Sequence, residues 1–387
     1  MKYLCLCMKK LYLFNPENDM ALASGSPYYM APSSAKKMAT DLAVLPAWYA
    51  DAESEILVSD SRQVEWLRNG CRLPLSVTGV LSVSDEHEDI VPWGWSPALK
   101  HRLGTGRVKA IDVDTLRTLS SRMTAVSLLP KLRVEGTVGE SHWFTSLENV
   151  CEFSMKHGSV FLKAPWSGSG KGIQSLCGVP DDNLKGWIRR IIASQGGVVG
   201  EPYYNKVKDF AMEFMVSDEG VSFVGYSLFD TDIRGIYKEN VLASDEVIEK
   251  ELSFYVDLSV FQQIREKLLH RLRLVADDIY RGYLGVDMMI VQTSDGFAIH
   301  PCVEVNWRMN MGVVSRIFFN RYVCPEVTGR YVIEYYPNSG DALKSHEEMK
   351  ANNPLCLDGG KISEGYLSLT PVFEDTNYQI YVLMMKK

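Results

Sequence analysis

The sequence carries no excess of positive charge. Its 387 residues include 41 Lys and Arg against 48 Asp and Glu, which gives a formal net charge of −7. A generally basic nucleic-acid-binding protein is therefore excluded, because binding to a phosphate backbone needs a cationic surface. The chain also lacks any run of about 18 apolar residues, the length that a membrane-spanning helix needs. We therefore expect neither nucleic acid nor a membrane as a partner.

Clusters of cysteine or histidine that would mark a disulfide framework or a zinc site are missing too. The 8 cysteines include no CxxC pair, and the 7 histidines show neither HExxH nor HxH spacing. We expect reduced and mostly buried thiols. The apolar run at residues 3–8 is too short for a signal peptide. These features predict a cytoplasmic protein.

What is present is the composition of an ordinary folded protein, with 46% hydrophobic and 23% charged residues. Strand and helix patterns alternate over the first part of the chain, which predicts a small parallel α/β unit with a boundary near residue 120. Residues 85–106 are rich in Pro, Gly and Trp and are predicted to be loop with one short helix at 97–103. A helix is predicted over 114–129, before Pro130.

Strands dominate the later part of the chain. A strand at 160–164 and another at 173–179 flank a glycine-rich segment. Two antiparallel hairpins are predicted, one turned at 218–220 and one at 294–296, where Asp and Gly favour tight turns. The tail from about 325 is predicted to hold a helix and a final pair of strands.

The glycine-rich segment at 166–172 reads Trp-Ser-Gly-Ser-Gly-Lys-Gly. It is not a Walker loop, because Lys171 is followed by Gly172 instead of Ser or Thr, and it is not a dinucleotide fingerprint, because Ile173 stands at the decisive position. Strands on both sides predict a hairpin flap. Its bare backbone N–H groups and Lys171 could close over phosphates, although a plain Gly-Ser turn is an alternative.

Lys163 lies within the apolar strand that precedes this flap. A half-buried lysine needs an anionic partner, because an unpaired charge is costly to bury. That partner could be a nucleotide phosphate or a structural carboxylate.

A candidate metal site comes from two later strands. Asp287 lies in an otherwise apolar strand, and Glu304 and Asn306 are two residues apart, so they share a face of the next strand. The turn at 294–296 can bring the three together. Carboxylate and amide oxygens are ligands that Mg²⁺ prefers, and Arg308 on the same face could meet an anion. A surface salt-bridge cluster is the alternative.

These three elements, in this order, resemble the ATP-grasp superfamily over about residues 120–316. That family binds ATP between two α+β lobes and typically joins a carboxylate to an amine or similar nucleophile through an acyl phosphate. The resemblance implies a Rossmann-like domain (1–120), a small lobe with the flap (121–200), a large lobe with antiparallel sheets and the metal site (201–324) and a C-terminal extension (325–387).

The resemblance also implies roles for individual residues. Lys163 and the flap would hold the ATP phosphates, residues 198–204 would form the hinge that contacts adenine, and Asp209 would meet the ribose. The implied ATP contacts are Arg122, Lys163, Ser167, Gly168, Ser169, Gly170, Lys171, Gly172, Glu201, Tyr203, Tyr204 and Asp209. The implied ligands of one or two Mg²⁺ ions, with Mn²⁺ as a substitute, are Asp287, Glu304 and Asn306. Arg308 would meet the reacting carboxylate or phosphate, and Lys171 would help to neutralise it.

Two polar loops are candidates for substrate binding. The loop at 15–19 follows the first strand at its carboxyl end, where ligands gather in parallel sheets, so Asn15, Glu17 and Asn18 could contact the acceptor. A polar turn that caps the next helix is the alternative. In the loop at 230–240, Arg234 and Lys238 could hold a substrate carboxylate or an acyl phosphate, with Arg234 taking part in catalysis. A solvated loop is the alternative there.

The sequence thus predicts an ATP- and Mg²⁺-dependent ligase that joins a small carboxylate to an amine or similar nucleophile and releases ADP and phosphate. Dimers are common in the family that it resembles, so a homodimer is possible. Two alternatives stay open: a kinase or other phosphoryl transferase on the same fold, and a nucleotide-binding protein without catalysis.

Overall fold

A computed structural model describes residues 9–87, 89–104, 112–167, 172–231, 237–276 and 279–385. The predicted roles of Gly168, Ser169, Gly170, Lys171 and Arg234 fall outside these residues. Within the described ranges, no helix combines the length and the apolar character that crossing a membrane requires.

Four short strands near the N-terminus form a parallel sheet. They are β1 (Lys10–Leu13), β2 (Ser54–Leu57), β3 (Val77–Val80) and β4 (Asp89–Pro92), in the order β3-β2-β1-β4. This sheet confirms the predicted parallel α/β unit. The carboxyl end of β1 leads directly into the polar loop at 15–19.

Strand β4 lies inside the segment 85–106, so the prediction of loop is wrong at that place. Ile90 is paired with Leu11 of β1, and both side chains are buried. Two apolar residues between Asp89 and Pro92 are too few to indicate a strand by pattern. The strand forms because the edge of β1 supplies hydrogen-bond partners and an apolar neighbour.

Six helices accompany this part of the chain, and the short helix predicted at 97–103 is among them. They are α1 (Asn18–Ser24), α2 (Ser33–Asp41), α3 (Ser61–Glu65), α4 (Pro97–Leu103), α5 (Val113–Leu119) and α6 (Met123–Leu128). The continuous helix predicted over 114–129 is wrong, because the chain breaks between α5 and α6. At the break, the Arg122 backbone N–H donates to the Pro165 carbonyl (3.0 Å).

The small lobe is an antiparallel sheet with two helices. Its elements are β5 (His142–Phe144), α7 (Leu147–His157), β6 (Ser159–Lys163), β7 (Ile173–Cys177), α8 (Asp182–Gln195) and β8 (Val198–Pro202), and its strand order is β5-β8-β6-β7. Strands β6 and β7 pair antiparallel with Lys163 opposite Ile173. The predicted hairpin around the glycine-rich segment is therefore confirmed.

The rest of the chain builds one antiparallel sheet of nine strands. Its strands are β9 (Asn205–Ser217), β10 (Gly220–Thr231), β11 (Tyr237–Leu242), β12 (Gly282–Thr293), β13 (Gly296–Asn306), β14 (Thr328–Tyr335), β15 (Cys356–Asp358), β16 (Lys361–Ser368) and β17 (Tyr378–Met385). Their order is β13-β12-β9-β10-β11-β14-β17-β16-β15. Both hairpins turn where predicted. The tail holds the predicted helix and last strands together with β14 and β15, and its strands extend this same sheet.

Helices cover both faces of the large sheet. They are α9 (Asp245–Leu252), α10 (Leu258–Ala276), α11 (Met311–Tyr322) and α12 (Asp341–Asn352). Along β9, Phe210, Met212 and Phe214 share a core with α10, so the alternate residues Ala211 and Glu213 point to the opposite face. That opposite face is the one against which α11 lies.

Candidate active site

The predicted metal ligands meet on the face of the sheet that α11 covers. Asp287 on β12 lies directly opposite Glu304 on β13, and Gly285 lies opposite Asn306. The side-chain amide of Asn306 donates to Asp287 Oδ2 (3.1 Å). The register set by the turn shifts between Asp287 and Met289, and this irregularity places Asp287 opposite Glu304.

Asp287 titrates far from its ordinary range. Burial raises the pKa of its carboxyl to about 7, and the carboxylate of Glu304 opposite raises it further, while Arg308 acts in the other direction. Two negative groups with too little positive charge around them do not both ionise readily. A cation bound beside the pair would favour the ionised form of Asp287.

The donor set suits a magnesium ion. Among the residues that the structure describes, no group of three or more His, Cys, Asp or Glu side chains forms a closed metal cage. Two carboxylates and one amide oxygen are instead a partial set of hard ligands. Mg²⁺ is commonly held in this way, since it keeps several waters and completes its octahedron with substrate phosphates. The residues present fit the ion.

Arg308 is fixed by a residue of the first helix. Its Nε and Nη2 donate to the two carboxylate oxygens of Asp19, both at 2.7 Å. Nη2 also donates to Asn306 Oδ1 (3.1 Å). Arg308 thus joins the N-terminal domain to the candidate metal site.

Arg122 makes a second link, from the base of the flap to the same site. It is buried, and its Nη1 donates to the Ala164 carbonyl and to Ser167 Oγ, both at 2.7 Å. Its Nη2 donates to Glu304 Oε2 (3.0 Å). The break between α5 and α6 gives Arg122 this position, which a continuous helix would not provide.

Lys163 has a structural carboxylate as its partner. Its ammonium donates to Glu201 Oε2 at 2.5 Å, and Ser141 donates to the other oxygen at 3.2 Å. Burial disfavours the charged form of Glu201, but Lys163 beside it holds the pKa of that carboxyl below its usual range. Of the two alternatives for Lys163, the structure therefore contains the carboxylate. A phosphate could still join, because an ammonium has three donors.

The described ends of the flap pack tightly. A Cβ added to Gly172 would overlap the side chain of Ser167, and the Gly172 carbonyl accepts from the Ala164 backbone N–H at 2.8 Å. Only a residue without a side chain fits here. Ser167 and Gly172 are thus held beside Arg122, on the side that faces Glu304.

The other predicted nucleotide contacts lie along the hinge and β9. Tyr203 is exposed, whereas Tyr204 packs edge to face on His300, and burial raises the Tyr204 pKa to about 12. Asp209 is half-buried and pairs with Lys206. Lys238 is exposed on β11. These positions leave the predicted roles as predictions.

Some residues of the loop at 15–19 make structural contacts, and others lie at the candidate site. Asn15 is buried and donates to the Gly94 carbonyl (2.8 Å), and the buried amide of Asn18, with its nitrogen turned inward, donates to the Gly94 and Trp95 carbonyls (2.9 Å each). Glu17 lies 3.9 Å from Arg102 of α4. For Asn15 and Glu17 these contacts favour a structural turn. Asn18 and Asp19 are the residues of the loop that line a cleft at the site, and Asp19 is the one bonded to Arg308.

A cleft that opens to solvent lies where these elements meet. The first helix, the base of the flap and the end of β13 form its walls. Its lining residues are Asn18, Asp19, Leu22, Ser120, Trp166, Ser167, Glu304, Val305, Asn306, Trp307 and Arg308. The predicted metal ligands Glu304 and Asn306 therefore line this cleft together with Asp19 and Arg308.

Sequence reasoning missed Glu213 of β9. This carboxyl is 1% exposed, lies across from Gly285 and accepts from Asn310 Nδ2 (2.9 Å) at the start of α11. Burial raises its pKa to about 8, and Asp287 adds to the increase. The available signal was one acidic residue inside the apolar run 210–216, the same signal that identified Asp287.

Comparisons with known proteins agree on the fold. No protein-family model matches the chain, and a search of curated proteins returns no match. Solved structures do match over nearly the whole length. N5-carboxyaminoimidazole synthetase from Staphylococcus aureus is 11% identical, covers 98% of this chain and 94% of its own, and superimposes with a TM-score of 0.52.

Two biotin carboxylases give similar results. The enzyme from Campylobacter jejuni is 12% identical with a TM-score of 0.53, over 98% of this chain and 88% of its own. The biotin carboxylase domain of a 2-oxoglutarate carboxylase from Hydrogenobacter thermophilus is 12% identical with a TM-score of 0.51. The match covers 97% of this chain and 86% of that domain's chain. These proteins are ATP-grasp enzymes with a domain before the ATP-grasp lobes. The chain therefore has the ATP-grasp fold that the sequence predicts.

Proposed function

We propose that the protein is an ATP- and Mg²⁺-dependent ligase that activates a small carboxylate as an acyl phosphate and transfers the acyl group to an amine or similar nucleophile. The products besides the ligated compound are ADP and phosphate. Such a reaction needs a cationic side chain that can bind a carboxylate, a metal site and a phosphate-binding flap. The cleft lies beside Arg308, the candidate metal ligands and the base of the flap.

The observation that carries the proposal is the Asp287–Glu304 pair, two carboxylates placed side by side across β12 and β13, with the side chain of Asn306 bonded to Asp287. Arg122 connects this pair to the base of the flap, and Arg308 connects it to the N-terminal domain. A nucleotide held under the flap would therefore have its terminal phosphates near the pair.

The likeness to solved structures supports the choice of ligand. The Staphylococcus aureus synthetase was solved with ADP, and the Hydrogenobacter thermophilus domain with MgADP and bicarbonate. Bicarbonate is a small carboxylate-like acceptor of phosphate. By this likeness, ATP, Mg²⁺ and a small oxyanion acid are the ligands that we assign to the present cleft.

Each residue would have a limited task in this chemistry. Asp287, Glu304 and Asn306 would hold Mg²⁺, which when bound neutralises the β- and γ-phosphates. Lys163 would contact a phosphate and at the same time retain its ion pair with Glu201. Arg308, whose Nε and Nη2 are held by Asp19 and Asn306, would direct its remaining Nη1 N–H to the acceptor carboxylate, whose oxygen attacks the γ-phosphorus as ADP leaves. The amine then attacks the acyl carbon, and phosphate departs. Positioning and charge supply the catalysis, without a covalent enzyme intermediate.

The test is a product analysis with the full chain. Purified protein is incubated with ATP, Mg²⁺ and pooled small carboxylates and amines, and ADP, AMP, phosphate and pyrophosphate are followed. Glu304→Ala is the variant of interest. Glu364→Ala is its matched control, since Glu364 is an exposed carboxylate on β16, at the other end of the same sheet.

The proposal expects ADP and free phosphate in equal amounts, only when both substrate pools are present, and lost in Glu304→Ala but kept in Glu364→Ala. ADP with the phosphate retained on a product would identify a kinase instead. AMP would contradict the acyl-phosphate route. Absence of any ATP binding would overturn the assignment of the site.

A further inference from the structure

A continuous series of hydrogen bonds runs from the first helix into the candidate metal site. Asp19 accepts two bonds from Arg308, Arg308 donates to Asn306 Oδ1, and Asn306 Nδ2 donates to Asp287 Oδ2. The distances are 2.7, 2.7, 3.1 and 3.1 Å. The acid at one end belongs to the N-terminal domain, and the acid at the other end belongs to β12.

The chemistry of each group fixes the direction of this series. A guanidinium only donates hydrogen bonds, so the group of Asn306 that faces Arg308 has to be its oxygen. The nitrogen of the same amide then faces Asp287, whose ionised carboxylate only accepts. Since an amide oxygen has two lone pairs, Oδ1 retains one for a cation. Arg308 therefore selects the orientation in which Asn306 can be a metal ligand.

The residues next to Asp19 and next to Arg308 are both bonded to the segment 93–95. The neighbouring Asn18 is buried against the carbonyls of Gly94 and Trp95, at 2.9 Å each. The backbone N–H of Met309, next to Arg308, donates to the Trp93 carbonyl (2.9 Å). One short segment, 93–95, thus anchors both partners of the Asp19–Arg308 pair. A bidentate pair with both backbones anchored has little freedom left to rearrange.

We propose that Asp19 is a positioning residue, which through Arg308 holds the side-chain oxygen of Asn306 toward the metal of the bound nucleotide. The inference rests on the proposed function for the existence of that metal site. It assigns the N-terminal domain a part in metal binding that the strand ligands alone would not reveal. Removal of a residue that holds a metal ligand in place typically lowers the metal affinity by roughly 10- to 100-fold, and Asp19 acts on the proposed ligand Asn306 through such a residue, Arg308.

An opposite interpretation of the same contact makes a different prediction. Asp19 could occupy the place of a substrate carboxylate on Arg308 and leave when the substrate arrives. Its neutralisation would then free Arg308 and leave metal binding unchanged. The firmly anchored backbones on both sides favour positioning over displacement.

The experiment measures Mn²⁺ and ADP binding to the full chain by calorimetry and by the electron paramagnetic resonance signal of free Mn²⁺. The variants are Asp19→Asn, which loses the charge, and Asp19→Glu, which restores a carboxylate. Asp51→Asn is the matched control, because Asp51 also forms an ion pair in the N-terminal domain, with Lys10 at 2.7 Å, away from the cleft. Melting temperatures report folding.

The expected result is that Asp19→Asn weakens Mn²⁺ binding at saturating ADP by about 10- to 100-fold. The affinity for ADP without metal and the melting temperature stay close to those of the unaltered protein. Asp19→Glu binds Mn²⁺ more tightly than Asp19→Asn, and Asp51→Asn behaves as the unaltered protein.

Equal Mn²⁺ affinity in Asp19→Asn and the unaltered protein would overturn the inference. So would an equal loss of Mn²⁺ affinity in Asp19→Asn and Asp19→Glu. A loss of metal-free ADP affinity as large as the loss of Mn²⁺ affinity would also overturn it. Failure of the unaltered protein to bind ADP and Mn²⁺ at all would instead count against the proposed function. The two failures are therefore distinguishable.

Discussion

The pKa values of two carboxyl groups, the buried Glu201 and the partly exposed Asp287, are shifted in opposite directions. Glu201 in the small lobe has its pKa held below the usual range, despite burial, because Lys163 lies against it. Asp287 in the large lobe has its pKa raised to about 7 by burial and by the neighbouring Glu304. Burial acts in the same direction on both groups, so the surrounding charges account for the difference.

The contrast separates a structural ion pair from a site suited to a cation. The Lys163–Glu201 pair is internally balanced and forms part of the small lobe whether or not a ligand is bound. In the described part of the chain, Arg122 is bonded to Glu304 and Arg308 to Asn306, and each arginine has other hydrogen-bond acceptors. A divalent cation bound here would add positive charge beside the two carboxylates.

Loss of one member of the balanced pair should have the largest effect. Lys163→Met leaves Glu201 buried without a cation, which typically costs about 3–5 kcal/mol of the free energy of unfolding. Urea unfolding of the variant measures this loss. The double variant Lys163→Met/Glu201→Gln should regain much of the stability and still bind ATP weakly. Full recovery of ATP binding in the double variant would show that Lys163 has no part in phosphate binding.

Substitution in the Asp287–Glu304 pair should change the stability of the protein in the opposite direction. Asp287→Asn removes a repelling charge, so the metal-free protein should gain about 1 kcal/mol of stability at pH 8. The same change should weaken binding of Mg²⁺ with a nucleotide by about 100-fold or more, since it removes a direct ligand. Melting curves with EDTA and with Mg²⁺-ADP measure both effects. Destabilisation in EDTA would contradict the repulsion between the two carboxylates.

Glu213 should make stability depend on pH. Its folded pKa of about 8 exceeds the value near 4.3 expected in the unfolded chain. The protonated group therefore contributes stability that is fully present below about pH 4 and is lost as the pH rises through 8. The loss amounts to roughly 1.4 kcal/mol per pH unit in between.

Glu213→Gln tests this dependence, because the amide oxygen can still accept from Asn310. The variant should show a smaller decrease in melting temperature between pH 5 and pH 8 than the unaltered protein. Parallel curves for the two proteins would mean that Glu213 ionises normally in the folded state.

The smallest effect is expected at the base of the flap. Gly172→Ala forces a methyl group against Ser167, and we expect a loss of about 1 kcal/mol, the lower end of the range for overpacking. Nucleotide affinity should fall a few-fold with it. Gly186→Ala is the control, because nothing lies within 4 Å of its Cβ on α8, and there alanine should stabilise the helix. Equal behaviour of the two variants would contradict the packing at Ser167.

Local patterns predicted much of the core site. The hairpin of β12 and β13 follows from alternating apolar residues and the turn at 294–296. The turn brings Asp287 and Glu304 to the same region, but their direct pairing also depends on an irregularity between Asp287 and Met289 that the sequence did not predict. Lys163 before a glycine-rich hairpin followed from the same kind of reasoning. These features depend on residues close together in the sequence, where strand periodicity and turn chemistry are decisive.

The missed features depend on distant contacts. Strand β4 forms on the edge of β1, and the break before α6 exists because the Arg122 backbone binds the Pro165 carbonyl. Asp19 and Arg308 are 289 residues apart, so no local pattern pairs them. Glu201 as the partner of Lys163 likewise needed the pairing of β6 with β8. Tertiary packing selects among partners that the sequence leaves open.

The central claim is that the Asp287–Glu304 pair is completed by a divalent cation that arrives with ATP. The most direct measurement is the affinity for a non-hydrolysable ATP analogue at pH 7.5, with Mg²⁺ and with EDTA, for the unaltered protein and Glu304→Gln. We predict that Mg²⁺ strengthens binding at least about ten-fold in the unaltered protein and not in the variant. Equal affinities with Mg²⁺ and with EDTA in the unaltered protein would contradict the account.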